Sequence, residues 1–166
     1  MTGIVAVRSA FPAHRYPQAD FTLKVAEVSG LGPAQHALLE RLHGNAGVEY
    51  RHTVLPLPEY GGLGGIEPAN DRYIGEAAEL GEQALRGALN MAGLAGRDLD
   101  LLIVTSVTGV AVPSLDVRLI PRLGLRPDIK RLPIFGLGCV AGAAAYGRAR
   151  RRGFARRVAA PSFGSR

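Results

Sequence analysis

Leu99 to Val107 form a near-continuous apolar run, and this run limits the possible folds more than any other segment. An apolar stretch of this length reads as a strand buried on both faces, which needs a covering layer on each side of its sheet. Gly93 to Arg97 is the turn before it, and a helix from Ser114 to Leu123, stopped at Gly124, follows. Leu132 to Phe135 is the next strand, and another helix begins at Cys139. Strand, helix, strand, helix predicts an α/β fold with a parallel sheet and right-handed crossovers.

The covering layer has an obvious source upstream. Between Asn70 and Ala92, Ile74, Ala77, Ala78, Gly81, Leu85, Ala88, Leu89 and Ala92 recur at helical spacing and make one apolar face. Arg72, Glu76, Glu79, Glu82 and Arg86 form its wetted side. Nearer the start, Ile4 to Val7 reads as a first strand, and Asp20 to Val28 as a short helix with Asp20 as its cap. Pro33 to Leu42 reads as a helix opened by proline and closed at Gly44. Val48 to Leu55 alternates like a strand, and the glycine-rich segment Pro56 to Gly65 reads as a loop. No Gly-Lys-Ser/Thr follows those glycines, so they do not make a phosphate loop.

The net charge of +6 divides unevenly. Residues 1–128 hold 11 basic and all 14 acidic side chains, whereas residues 129–166 hold nine basic ones and no acid. The basic character therefore belongs to the end of the chain. No aromatic platform or reader motif accompanies it, so a nucleic-acid partner is not expected. Hydrophobic residues make up 47% of the 166, enough for the core of one domain. The start lacks a signal-like pattern, and no run reaches the length of a membrane span, so a cytoplasmic setting without membrane partners is expected. His14, His36, His43 and His52 show no ligand-like spacing and read as structural or surface residues.

Cys139 is the only cysteine, which excludes an internal disulfide and a cysteine-type zinc site. Leu132 to Ala145 reads as strand, glycine turn and helix start, with the thiol at the helix N-terminus. Backbone N–H groups and the helix dipole there favour the thiolate, which is the nucleophile. One sulfur so placed suggests covalent acyl transfer. The alternative is a small buried thiol packed like an alanine.

Several ordered motifs go beyond this: Val104-Thr-Ser-Val-Thr-Gly-Val-Ala-Val-Pro-Ser, Asp116, Leu123-Gly-Leu-Arg-Pro, Lys130-Arg and Gly138-Cys-Val-Ala-Gly. Through them the chain resembles the chalcone synthase-like type III polyketide synthases, condensing enzymes of thiolase fold. Weaker similarity reaches back to the N-terminus. The resemblance implies the N-terminal lobe of a thiolase-like α/β fold over residues 1–145, built of βαβ units on a mixed or parallel sheet. It implies that Cys139 takes an acyl starter from coenzyme A and that decarboxylative condensation with malonyl-CoA extends it, with no bound cofactor or metal. Arg41 falls where the family has a basic residue contacting the CoA phosphates, although Leu38 and Asn45 replace its flanking lysines. Val107 and Thr108 match positions lining the starter pocket, and Val112 matches one that reaches across the dimer interface, so a homodimer is expected. Gly109 and Pro113 match loop positions that shape this crossing. For Val107 and Val112, burial alone is a competing explanation.

The resemblance also has limits. The family's second half carries a catalytic His and Asn, whereas here no His follows His52 and no Asn follows Asn90. Residues 146–166 form an Arg-rich tail that lacks the apolar pattern of a following strand, as a shift of reading frame would produce. An impaired fragment that is unstable alone or associates with other chains is therefore expected. A carrier-protein-dependent condensing enzyme and a non-catalytic fragment pairing with an intact synthase are the alternatives.

Overall fold

The computed structural model describes residues 3–151 and 158–159, which fall into two compact units. One comprises residues 3–10 and the chain from Asn70 onward, and the other residues 11–69.

The larger unit is built around strand β3 (Leu101–Ser106), which is buried along nearly its whole length. It pairs in parallel with β4 (Lys130–Phe135) on one side and with β5 (Val158–Ala159) on the other. Because side chains alternate along a strand, β3 feeds two cores. Leu102 and Val104 pack with Ala77, Leu85 and Leu89 of helix α3 (Ile66–Ala92) and with Leu115, Leu119 and Leu123 of helix α4 (Leu115–Leu123). Leu101 and Ile103 face the other way, onto Ala145 and Ala149 of helix α5 (Ala141–Arg151). Leu102, Ile103 and Leu119 are fully buried, each contributing about 2 kcal/mol by removal from water. The double burial expected of this strand is thus met by α3 and α4 on one face and α5 on the other.

α3 starts earlier than Asn70, but its expected apolar face is buried, with Ala77, Ala78, Gly81, Leu85 and Leu89 inaccessible. On its wetted side Glu82 accepts hydrogen bonds from Arg86 (2.6 Å) and from Arg122 of α4 (3.1 Å), which hold its carboxyl below the ordinary value. α4 ends at Gly124, whose φ of +59° is left-handed; this stops the helix. α5 runs through residues 145 and 146, so the Arg-rich tail begins within a helix. Residues 152–157 and 160–166 of that tail lie outside the described residues, while Val158 and Ala159 stand beside Leu101 and Leu102 in the sheet.

The smaller unit holds helices α1 (Gln18–Val28) and α2 (Pro33–Gly44), with an antiparallel pair of β1 (His14–Pro17) and β2 (Tyr50–Thr53). β1 was not expected from the sequence, and β2 is shorter than Val48 to Leu55. Asp20 is not the cap of α1. The helix begins at Gln18 behind Pro17, and Asp20 lies in its first turn, where the helix dipole favours a carboxylate. Within the expected loop, Leu57–Gly62 forms a short 3-10 helix. His52 Nδ1 donates to the Pro12 carbonyl (3.0 Å). The Thr22 hydroxyl donates to the Gln18 carbonyl (2.7 Å), so it receives the Nδ1–H of His43 (2.8 Å). Those two histidines serve structure.

Ile4 to Val7, expected as a strand, has no regular structure. Ile4, Val5 and Val7 are about 70% exposed, and among the described residues no strand pairs with them. A β-branched run without a ladder partner leaves its backbone to water.

Candidate functional site

Parallel α/β sheets bind ligands beyond the carboxyl ends of their strands, where β3 and β4 release two loops side by side. Ser106 and Phe135 are register partners at the ends of these strands, and the Gly136 N–H donates to the Ser106 carbonyl at 3.3 Å.

The loop after β4 presents Cys139. Gly136 and Gly138 have φ of +83° and +55°, values at which a side chain would be strained, so glycine makes this abrupt turn possible. Gly138–Val140 then form one 3-10 turn that passes directly into α5, since Ala141 already has helical dihedrals. Cys139 therefore lies at the helix entrance and is exposed to solvent, not packed as a core thiol.

The loop after β3 carries the other matched residues. Val107 is 46% exposed, Thr108 is exposed, and Val112 is 91% exposed, so burial explains none of them. The Val112–Pro113 peptide is cis. Although these side chains project outward, the loop backbone is held from behind by α3. Asn70 Nδ2 donates to the Val110 carbonyl and its Oδ1 accepts the Val110 N–H, both at 2.8 Å. The Tyr73 hydroxyl bonds Ser106 Oγ, and Ser106 Oγ donates to the Gly109 carbonyl (3.3 Å). Burial outweighs the bond to Ser106 and pushes the Tyr73 phenol above its ordinary value of 10.0, which keeps it protonated as a donor.

Beyond this loop, Asp116 in the first turn of α4 is completely buried. It accepts the Ser114 hydroxyl at one oxygen and Arg131 Nη1 of β4 at the other (3.2 Å). It thus ties the end of the loop to the strand that leads to Cys139.

The larger unit brings Val107, Thr108, Val112 and Cys139 to one end of its sheet. Arg41, in the last turn of α2, is exposed on the smaller unit. Asn70, Tyr73 and Ser106 were not singled out from the sequence. Asn70 and Tyr73 sit near the start of an amphipathic helix, and no spacing rule marks them as contacts of a loop more than 30 residues away. Among the described residues, no group of three or more His, Cys, Asp or Glu could hold a metal ion. No helix there is long and apolar enough to cross a membrane.

Comparison with known proteins places these features in a common frame. The profile of the N-terminal domain of chalcone and stilbene synthases matches residues 1–159. A 1,3,6,8-tetrahydroxynaphthalene synthase of Streptomyces peucetius subsp. caesius is 52% identical over 147 residues, covering 89% of this chain and 39% of that protein. A phloroglucinol synthase of Pseudomonas fluorescens is 39% identical over 139 residues, covering 84% and 40%. Among solved structures, the 1,3,6,8-tetrahydroxynaphthalene synthase of Streptomyces coelicolor A3(2), a bacterial type III polyketide synthase, superposes with a TM-score of 0.76. Its identity is 32%, over 88% of this chain and 42% of that one. A polyketide synthase of the brown alga Ectocarpus siliculosus gives 0.75 at 27% identity, over 88% and 42%. The chain spans about two fifths of the length of these relatives.

Proposed function

Because the chain belongs to the chalcone and stilbene synthase family and has the α/β fold of its thiolase-like N-terminal lobe, we propose that it serves polyketide biosynthesis by accepting an acyl group from coenzyme A on Cys139. The Cys139 thiolate attacks the thioester carbonyl of an acyl-CoA. The carbon–sulfur bond to CoA breaks, the CoA thiolate takes a proton from solvent, and an acyl thioester remains on Cys139. The backbone N–H groups at the entrance to α5 would stabilise the negative charge developing on the carbonyl oxygen. In the complete reaction, malonyl-CoA loses carbon dioxide, and the resulting enolate attacks this thioester, lengthening the chain by two carbons and freeing the thiolate. We assign the acyl-loading step to Cys139 and the loops around it.

Arg41 would bind CoA phosphates by charge-assisted hydrogen bonds. Val107 and Thr108 would line the starter pocket, and Val112, which is 91% exposed, would enter a partner copy across a homodimer interface. The reading includes no bound cofactor and a cytoplasmic setting. The observation that carries it is an exposed lone thiol at a helix entrance, beside a pinned loop at the carboxyl end of a parallel sheet.

Incubation with malonyl-CoA, acetyl-CoA and a long-chain acyl-CoA, followed by intact-mass analysis, tests it. Acyl adducts on the wild-type chain that are absent from Cys139→Ala are expected. A wild-type chain that reacts with iodoacetamide at Cys139 yet never takes an acyl group would overturn the proposal.

A further inference from the structure

The loop after β3 combines two properties that rarely occur together. Its side chains at Val107, Val110 and Val112 are 46%, 53% and 91% exposed, as in a loop free to move. Its backbone, however, is held at Val110 directly by Asn70 of α3 and at Gly109 through the Ser106 hydroxyl, which Tyr73 of α3 bonds in turn. The direction of these bonds follows from their last member. A carbonyl only accepts, so Ser106 donates to Gly109, and Tyr73 must therefore donate to Ser106. Asn70 closes the bracket by bonding both backbone groups of Val110. The contact is close enough to dictate the sequence. A Cβ on Gly109 would run into the Tyr73 ring and lie 2.7 Å from Asn70 Oδ1.

We infer that Asn70 and Tyr73 are positioning residues that set the height of the Val107–Val112 loop and thereby select the size of the acyl group accepted by Cys139. This rests on the acyl-transfer reading above. Neither residue needs to touch the substrate. Both act through the backbone that carries the valines, beside the Ser106–Gly136 bond that joins this loop to the Cys139 turn. Small displacements suffice, because one methylene in an apolar pocket changes selectivity by about tenfold or more.

The test uses the full chain and its Tyr73→Phe and Asn70→Ala variants. Tyr73→Phe removes one hydroxyl and retains the ring. Acetyl-CoA and a long-chain acyl-CoA compete for Cys139, and intact mass gives the ratio of the two adducts. Hydrogen exchange of residues 107–112 and the rate of iodoacetamide modification are measured alongside. Faster exchange in the loop and a change of about fivefold in adduct ratio are expected, the loss of roughly one hydrogen bond's worth of restraint. Iodoacetamide reactivity should be unchanged. A purely structural role would slow or speed both acyl groups equally and leave the ratio fixed, which would overturn the inference. Loop exchange equal to wild type in both variants would also overturn it. If the wild-type chain takes no acyl group while iodoacetamide still reaches Cys139, the acyl-transfer reading has failed and selection by size falls with it. Faster loop exchange would then show that the α3 bracket itself exists.

Discussion

The carbonyl of Ser106 accepts the N–H of Gly136 at 3.3 Å, one step beyond the last register pair of β3 and β4. Two loops therefore leave the sheet from a shared anchor, one with Val107 and the other with Cys139. Their relative placement is set by the parallel ladder, not by loop contacts alone.

The turn after Gly136 gives the first prediction. Gly138 has a φ of +55° and no neighbour within 4 Å of a Cβ built on it. Any penalty of Gly138→Ala is thus backbone strain, of about 1–2 kcal/mol for an L-residue in the left-handed region. The variant is expected to lose about that much stability in urea denaturation. Where the chain relaxes instead, Cys139 shifts and acyl loading slows without complete loss, as timed intact-mass analysis would show.

Asp116 and Arg131 form an unequal pair, so their removals should differ. The carboxylate is fully buried, whereas the Arg131 side chain is 42% exposed. Asp116→Asn leaves an arginine that water can solvate, and about 1–2 kcal/mol of destabilisation is expected. Arg131→Ala leaves a buried carboxylate with the Ser114 hydroxyl as its side-chain partner among the described residues, and about 3 kcal/mol is expected. Chemical denaturation of both variants checks the order. Equal losses would mean that the charge is compensated elsewhere.

Much of the larger unit could be read in the sequence, because its signals are periodic and its partners local. Leu99 to Val107 announced a strand covered on both faces, and the helical spacing of Ala77, Ala78, Leu85 and Leu89 announced one of the covers. Cys139 was legible through its glycines. What could not be read depends on contacts distant in sequence. Ile4 to Val7 has strand-like residues but no strand to pair with, and β1 forms through pairing with β2, which begins some 30 residues later. The bond from Tyr73 to Ser106 joins a helix to a strand end 33 residues away, and neither residue is unusual for its element. Asp20 has the residue type of a cap, but the extended segment ends sooner, at Pro17, and the helix starts at Gln18.

Gly109 is held to glycine by α3. Its φ is not left-handed, so backbone conformation does not require the residue. The added methyl of Gly109→Ala would meet the Tyr73 ring and the Asn70 amide. Overpacking of this kind costs about 1–3 kcal/mol. The loss should shrink when Tyr73→Ala makes room. A double-mutant cycle by urea denaturation measures that coupling, and strictly additive losses would rule out the steric account.

The last prediction concerns alkaline pH and follows from Tyr73. Burial raises its phenol above 10.0, so the folded protein favours the protonated form more strongly than the unfolded chain does. Its contribution is then fully present below the unfolded value and is lost as pH rises through the folded one. The same proton is the one donated to Ser106, so stability and loop restraint should fail together. The stability difference between wild type and Tyr73→Phe is expected to stay constant from about pH 7 to pH 9 and to narrow above about pH 10. Comparing the two proteins at each pH cancels the titration of every other group they share. Urea denaturation across this range, paired with hydrogen exchange of residues 107–112 corrected for its intrinsic pH dependence, provides the measurement. A difference that persists undiminished to about pH 11 would show that ionisation of Tyr73 does not act on the fold.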